Sequence, residues 1–265
     1  MSHVGMIVLG FSIIFIMTSL GSSFVLFFKK EISEKVNTIF LGFASGVMIA
    51  ASIWSLIIPA IDMATEAGTY GKAGWLPAAA GFLIGAIFMV LMDKIIPHIH
   101  KKEGVEEGPR VELAKATKMF LAVTIHNIPE GLAVGFAFGV ASSIGTDAAM
   151  FGALSLAIGL AIQNLPEGAA VTLPMKAVTG SRFKAFGYGV LSGAVEPVFA
   201  VIGYFLASSI AVIQPWLLAF SAGAMIFVVV EDLIPEADLA KHNHLGTWAL
   251  MIGFVVMMIL DVALG

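Results

Sequence analysis

Two short motifs place metal-binding types of side chain inside stretches that are otherwise apolar. They are HNIPEG at 126–131 and QNLPEG at 163–168. In a helix, the first and fifth residues of each motif share a face, and the asparagine lies about 100° round the axis. Imidazole, carboxylate and amide oxygen together suit zinc and other first-row divalent cations. The motifs therefore predict a cation site with the ligands His126, Asn127, Glu130, Gln163, Asn164 and Glu167.

Proline and glycine recur at the same points of both motifs. Pro129 cannot donate a hydrogen bond to the carbonyl of Ile125, and Pro166 cannot donate one to the carbonyl of Ile162. We expect the freed carbonyls and a local kink to open each helix where the ligands lie. The glycine after each glutamate lets a neighbouring helix approach closely.

Further candidate ligands lie in other apolar stretches. A charged side chain at the centre of a bilayer costs roughly 2.5–3.5 kcal/mol, and no span contains a lysine or arginine that could neutralise it. Glu196 is a third carboxylate for the site or, alternatively, a protonated acid satisfied by its neighbours. Met48 is either ordinary core or a soft thioether ligand. A lone intramembrane asparagine usually serves helix packing, but two copies of N-x-P-E-G favour a site.

The composition indicates a polytopic membrane protein. Of the 265 residues, 59% are hydrophobic and 12% are charged, whereas a soluble domain has about 25% charged residues. The absence of cysteine excludes disulfides and cysteine metal sites. The sequence also has no basic patch with interleaved aromatic residues of the kind that indicates nucleic acid binding. We predict one all-α transmembrane domain over 1–265. Eight stretches are long enough to span a bilayer, namely 5–28, 37–60, 74–93, 119–141, 149–172, 185–212, 214–234 and 246–264.

The basic residues predict the orientation of these spans. Thirteen of the 14 lysines and arginines lie in the connections after the first, third, fifth and seventh spans, and only Lys72 lies opposite. Since cytoplasmic connections are enriched in positive charge, both termini should be extracellular or periplasmic. The connection 94–118 is charged and broken by glycine and proline, and we expect a mobile cytoplasmic loop.

This orientation puts the two motifs on antiparallel helices. A second similar pair, GVMIAASIWSLIIPAID at 46–62 and GAMIFVVVEDLIPEAD at 223–238, also runs in opposite directions but needs a one-residue gap to align. The alternative to a true repeat is that these two apolar helices resemble each other by chance. Similar motifs on oppositely directed helices predict an inverted repeat with a site near the middle of the membrane.

Polar residues on the predicted cytoplasmic side give a candidate pathway. Glu231 and Asp232, near the inner end of the seventh span, either line an exit or form an interfacial acidic pair. Two histidine pairs either receive departing metal or are solvated loop side chains. The pairs are His98 with His100 and His242 with His244.

On these residues the sequence resembles the ZIP (Zrt/Irt-like) metal transporters, in particular their bacterial GufA-like branch. The resemblance covers essentially the whole chain and rests on HNIPEG, QNLPEG, GALSLAIGLAIQNLPEGAAV and SGAVEP, with the eight spans and the His-bearing loop after the third. It implies import of divalent metal, chiefly zinc, across the plasma (inner) membrane into the cytoplasm. It also implies a 3+2+3 bundle of eight helices with inverted symmetry.

The resemblance further implies two adjacent metal positions. The first would use His126, Glu130, Gln163 and Glu167, with Met48 as a softer contributor. The second would use Asn127, Asn164 and Glu196 together with the shared Glu130 and Glu167. Some members have aspartate where this chain has Asn164, and some relatives have a His-Glu pair where it has Glu231 and Asp232. We therefore expect the second ion either to bind weakly or to serve a regulatory role. The exit route past the seventh span stays open at this point, although two acids can still pass a cation.

The expected substrate is zinc or another divalent cation such as cadmium, iron or manganese, with one or two ions bound and no resident cofactor. The expected partners are metal ions and the lipid bilayer, with no nucleic acid and a homodimer as one candidate assembly. Two rivals are a metal exporter and an intramembrane metalloenzyme. The enzyme is disfavoured because neither H-E-x-x-H nor paired E-x-x-H occurs among the spans.

Overall fold

The computed structural model describes residues 1–27, 33–96, 98–99, 106–107, 115–239 and 243–264. These residues are almost entirely helical. The helices are α1 (His3–Phe27), α2 (Glu34–Ala51), α3 (Ile58–Glu66), α4 (Leu76–Ile95), α5 (Lys115–Ile144), α6 (Asp147–Thr179), α7 (Arg182–Gly193), α8 (Val195–Ser209), α9 (Gln214–Val228), α10 (Ile234–Ala237) and α11 (Leu245–Leu264). Two antiparallel strands, β1 (His98–Ile99) and β2 (Glu106–Glu107), lie between α4 and α5.

Seven helical segments of the described chain are long and apolar enough to cross a membrane. They overlap seven of the eight predicted spans. The remaining predicted span, 119–141, lies in α5, a continuous helix of 30 residues that is not among the seven. The structure is thus that of an all-helical membrane protein apart from one small pair of strands.

Two wide turns of π-helix continue α2 into α3 and α9 into α10. They are Ser52–Ile57, with six residues, and Val229–Leu233, with five. Pro59 and Pro235 follow them and cannot donate a backbone hydrogen bond to the preceding turn. The one-residue mismatch between the two similar stretches falls in these turns, and such turns occur frequently at functional sites.

The structure adds detail to three local predictions from the sequence. The span expected over 185–212 is divided, because Pro197 cannot donate to the carbonyl of Gly193 and α7 ends there. α5 and α6 remain helical through Pro129 and Pro166, and the expected local kink with freed carbonyls at the two prolines stays a prediction. The expected loop 94–118 is helical at both ends, in α4 and α5, and most of its middle lies outside the described residues.

The helices pack in four extensive pairs: α1 with α6, α5 with α8, α2 with α11, and α4 with α9. Glycine brings the first two pairs together at matching points. A Cβ atom at Gly131, which follows the first motif's glutamate, would collide with the carbonyl oxygen of Glu196. A Cβ atom at Gly168, which follows the second motif's glutamate, would collide with the carbonyl oxygen of Thr18. The prediction of close helix approach at these glycines is confirmed.

The other two helix pairs, α2 with α11 and α4 with α9, have the same kind of glycine contact. A Cβ atom at Gly46 of α2 would collide with the carbonyl oxygen of Leu250 in α11. A Cβ atom at Gly223 of α9 would collide with the carbonyl oxygen of Phe82 in α4. Gly46 and Gly223 open the two similar stretches identified in the sequence. The same glycine contact therefore recurs in the first and last parts of the chain.

Candidate metal centre

The two motifs meet in the interior of the bundle, because α5 packs on α6 along the segments that carry them. Asn127, Glu130, Gln163, Asn164 and Glu167 are all buried. Their burial is notable for polar and acidic side chains, which lie inside proteins only when partners or ligands satisfy them. The sequence prediction that both motifs face one interior region is consistent with this placement.

Gln163 links the two motifs directly. Its Nε2 donates to Glu130 Oε1 at 2.9 Å and to Asn164 Oδ1 at 2.6 Å. The side chain is completely buried, with 0% exposure. The amide nitrogen of Gln163 on α6 thus holds the carboxylate of Glu130 on α5. The amide oxygen of Gln163 takes no part in these two hydrogen bonds.

Glu196 joins this network from the start of α8. Asn164 Nδ2 donates to Glu196 Oε2 at 2.8 Å, and Thr18 Oγ1 donates to Glu196 Oε1 at 2.7 Å. The structure therefore brings Glu196 beside the paired motifs and satisfies both of its oxygens there, and its role as a third metal carboxylate stays a prediction. Sequence reasoning missed Thr18, because one threonine in the apolar first span carries no motif.

Several buried oxygens of this network have no hydrogen-bond partner among the described residues. They are Glu130 Oε2, Gln163 Oε1 and Glu167 Oε2. Such atoms are rare in native structures and carry a desolvation cost. Glu130, Glu167 and Glu196 also lie within electrostatic range of one another. Free oxygen lone pairs among mutually repelling carboxylates make this region suited to a cation.

His126 lies at the edge of the network and faces another helix. Its Nε2 is 3.2 Å from Asp232 Oδ2 in the π turn before α10, and it is also within electrostatic range of Glu167. Asp232 is partly buried, whereas its neighbour Glu231 is exposed. Of the two predicted pathway acids, the structure brings only Asp232 to the candidate ligands.

Among the described residues, no hydrogen bond or ion pair links the side chains of the remaining predicted residues to the motifs. Met48 is buried in the apolar core, with 1% exposure. His244 is exposed in the turn before α11. The backbone of His98 lies in β1, and His100 and His242 lie outside the described residues. A role for these histidines in the pathway stays a prediction.

Carboxylates and imidazole alone do not complete a metal shell here. In the described parts of the chain, no three His, Asp or Glu side chains are grouped closely enough to hold one ion. A metal ion at this place would therefore need the amide oxygens of the motifs as further ligands, as their chemistry allows. A cavity of about 10 Å³, close to the size of one water molecule, adjoins them and is lined by Thr18, Val123, Asn127, Asn164, Glu167, Gly168 and Ser192.

Known proteins share this sequence over nearly its whole length. A family model described as "ZIP Zinc transporter" matches residues 4–119 and 114–261. The chain is 37% identical to "Zinc transporter ZIP11" of Homo sapiens over 94% of each chain. It is 36% identical to "Zinc transporter GufA" of Myxococcus xanthus, again over 94% of each. It is 38% identical to "Zinc transporter ZIPB" of Bordetella bronchiseptica over 99% of this chain and 82% of that protein.

Proposed function

Because the chain belongs to the ZIP family of zinc transporters, in its GufA-like branch, we propose that it carries zinc into the cytoplasm through the site between α5 and α6. It is a multi-pass membrane transporter and not an enzyme. Zinc is its substrate in this proposal, and no resident cofactor takes part. Cadmium, iron and manganese are further candidate substrates of the same ligand chemistry.

The observation that carries the proposal is the buried cluster of Glu130, Glu167 and Glu196. Three charged side chains at membrane depth would cost on the order of 10 kcal/mol without counter-charge. The spans supply no lysine or arginine to offset this cost. A divalent cation offsets it and also satisfies the free oxygens of Glu130 and Glu167. The site is thus stabilised when the substrate is bound.

We assign the ligands to two adjacent positions. The described acidic and histidine side chains are not grouped closely enough to hold one ion as they stand. In this assignment His126, Glu130, Gln163 and Glu167 therefore draw together around the first ion when it binds, with Met48 as a softer contributor. Asn127, Asn164 and Glu196 hold the second, together with the shared Glu130 and Glu167. The second position carries less charge than an aspartate at 164 would give, so its ion binds more weakly.

The recurring glycine contacts support an inverted repeat in a 3+2+3 arrangement. In it, α1 corresponds to α7 and α8, α5 to α6, and α2 to α9. The matching π turns before Pro59 and Pro235 support the same relation. Alternating access then arises when one set of helices rocks against the other around the central site. The ion arrives from outside, sheds water onto the motifs, and leaves past Asp232 toward the basic cytoplasmic side.

Zinc accumulation in cells that express the protein tests this function. Wild type should accumulate zinc, and Glu130→Ala or Glu167→Ala should abolish the gain. Glu66→Ala, in an exposed position at the end of α3, is the matched control and should transport normally. Equal accumulation by wild type and both site variants would refute the site. Zinc depletion from expressing cells would instead indicate an exporter.

A further inference from the structure

Thr18 and Glu196 occupy matching places in two helix pairs. The carbonyl oxygen of Thr18 abuts the glycine after the second motif's glutamate, and that of Glu196 abuts the glycine after the first. One turn further on, Ser22 and Ala200 again match. The carbonyl of Ser22 accepts from Thr172 at 3.4 Å, and the carbonyl of Ala200 abuts Gly135. Over two successive helical turns, α1 therefore packs on α6 in the same register in which α8 packs on α5.

The two side chains also meet. Thr18 Oγ1 donates to Glu196 Oε1 at 2.7 Å, and both residues are buried. At these matching positions, α8 therefore supplies the carboxylate of Glu196 and α1 supplies the hydroxyl of Thr18. Thr18 also borders the small cavity beside Asn127, Asn164 and Glu167. Its hydroxyl is directed at the acid of the second metal position.

The hydroxyl of Thr18 has a second acceptor within reach. The carbonyl of Ile14, one turn earlier in α1, lies 3.0 Å from Thr18 Oγ1. A hydroxyl has one proton to donate, so it can serve Glu196 or Ile14. A bond to an ionised carboxylate is stronger than one to a carbonyl, and Oε1 keeps a second lone pair that an ion can take while the hydroxyl still donates to it. Meanwhile Asn164 holds Glu196 Oε2 at 2.8 Å.

We propose that Thr18 is a positioning residue for the second ion. It holds the carboxylate of Glu196 beside the cavity in both the empty and the zinc-bound protein, so that the remaining lone pairs of the carboxylate face the second ion. This inference rests on the proposed function and adds a residue from the first helix to the site. Zinc bound at the second position is the ligand that the arrangement serves.

Zinc titration of the full-length protein in detergent micelles tests this role. Equilibrium dialysis with metal analysis gives both the number of ions and their separate affinities. Thr18→Val removes the hydroxyl and keeps the shape. We expect it to weaken binding of the second zinc by about tenfold to a hundredfold, the usual effect of losing a group that orients a metal ligand, while the first zinc binds as in wild type. Thr18→Ser keeps the hydroxyl and should restore wild-type binding.

Other outcomes overturn the inference in distinguishable ways. Wild-type affinity for both ions in Thr18→Val, or equal weakening in Thr18→Ser, would show that the hydroxyl has no such role. A single zinc per wild-type protein would also overturn it and leave the transport proposal standing. A wild-type protein that binds no zinc would refute the proposed function itself. If Thr18→Val does not fold, Thr18→Ala removes the same hydroxyl without added volume and gives the same comparison.

Discussion

Replacing Gln163 with leucine tests how the two motifs cooperate. The substitution keeps the approximate volume of a fully buried side chain and removes its amide. Glu130 Oε1 then loses the donor at 2.9 Å, and Asn164 Oδ1 loses the one at 2.6 Å. Glu130 Oε2 already has no partner among the described residues, so the substitution further reduces the hydrogen bonding of this carboxylate.

The expected cost follows from the two bonds. A hydrogen bond to a charged group contributes about 1.5–3 kcal/mol and a neutral one about 1 kcal/mol, so Gln163→Leu should lose about 2.5–4 kcal/mol of stability. The substitution should also weaken metal binding, since Gln163 orients one ligand and offers its own free oxygen. Loss of a group that orients a metal ligand typically lowers affinity by about 10–100-fold.

Gln214→Leu is the matched control. Gln214 is also buried, and its Nε2 donates to Ser143 Oγ at 3.0 Å and to the carbonyl of Ala207 at 2.8 Å. Its partner Ser143 lies 13 residues after Glu130 on α5, or about 20 Å along the axis at 1.5 Å per residue. Losing two neutral bonds should cost about 2 kcal/mol without touching the site.

The assay is the initial rate of zinc uptake into proteoliposomes, normalised to folded protein, with thermal stability measured in parallel. Both variants should melt below wild type, and only Gln163→Leu should lose transport, by about tenfold or more. Wild-type transport by a folded Gln163→Leu protein would refute the reasoning. Equal loss in Gln214→Leu would trace the effect to stability and not to the site.

Two further predictions follow from the same structure. Zinc uptake should fall as the external pH drops from about 8 to about 5, because metal ligands must be deprotonated and protons compete for Glu130 and Glu167; a flat rate over this range would contradict it. Gly131→Ala should lower the melting temperature, since its Cβ collides with the carbonyl of Glu196, whereas Gly187→Ala has open space and should be neutral or stabilising by up to about 1 kcal/mol. Equal melting temperatures for the two glycine variants would refute the packing argument.

The sequence predicted the helices well because apolar length is a strong signal. The first predicted span, 5–28, corresponds to α1, and the fifth, 149–172, lies within α6. Prolines were harder to interpret. Pro129 and Pro166 remain inside continuous helices, while wide turns occur before Pro59 and Pro235. The loss of one backbone donor does not by itself determine how the neighbouring helices compensate for it.

The sequence also predicted the acidic core of the site, because Glu130, Glu167 and Glu196 each stand out in an apolar stretch. It could not predict the partners of these side chains. Periodicity shows which residues share a helix face but not which helices meet. The contact of Glu196 with Thr18 depends on the packing of α8 and α1, and neither residue's own stretch encodes it.

Anomalous diffraction at the zinc edge, from crystals grown with zinc, is the most direct test of whether zinc binds between the two motifs. We predict a strong peak between α5 and α6, coordinated by Glu130 and Glu167, and a weaker neighbouring peak beside Glu196. Zinc bound only at surface histidines or acids, with no peak between the two motifs, would contradict the account.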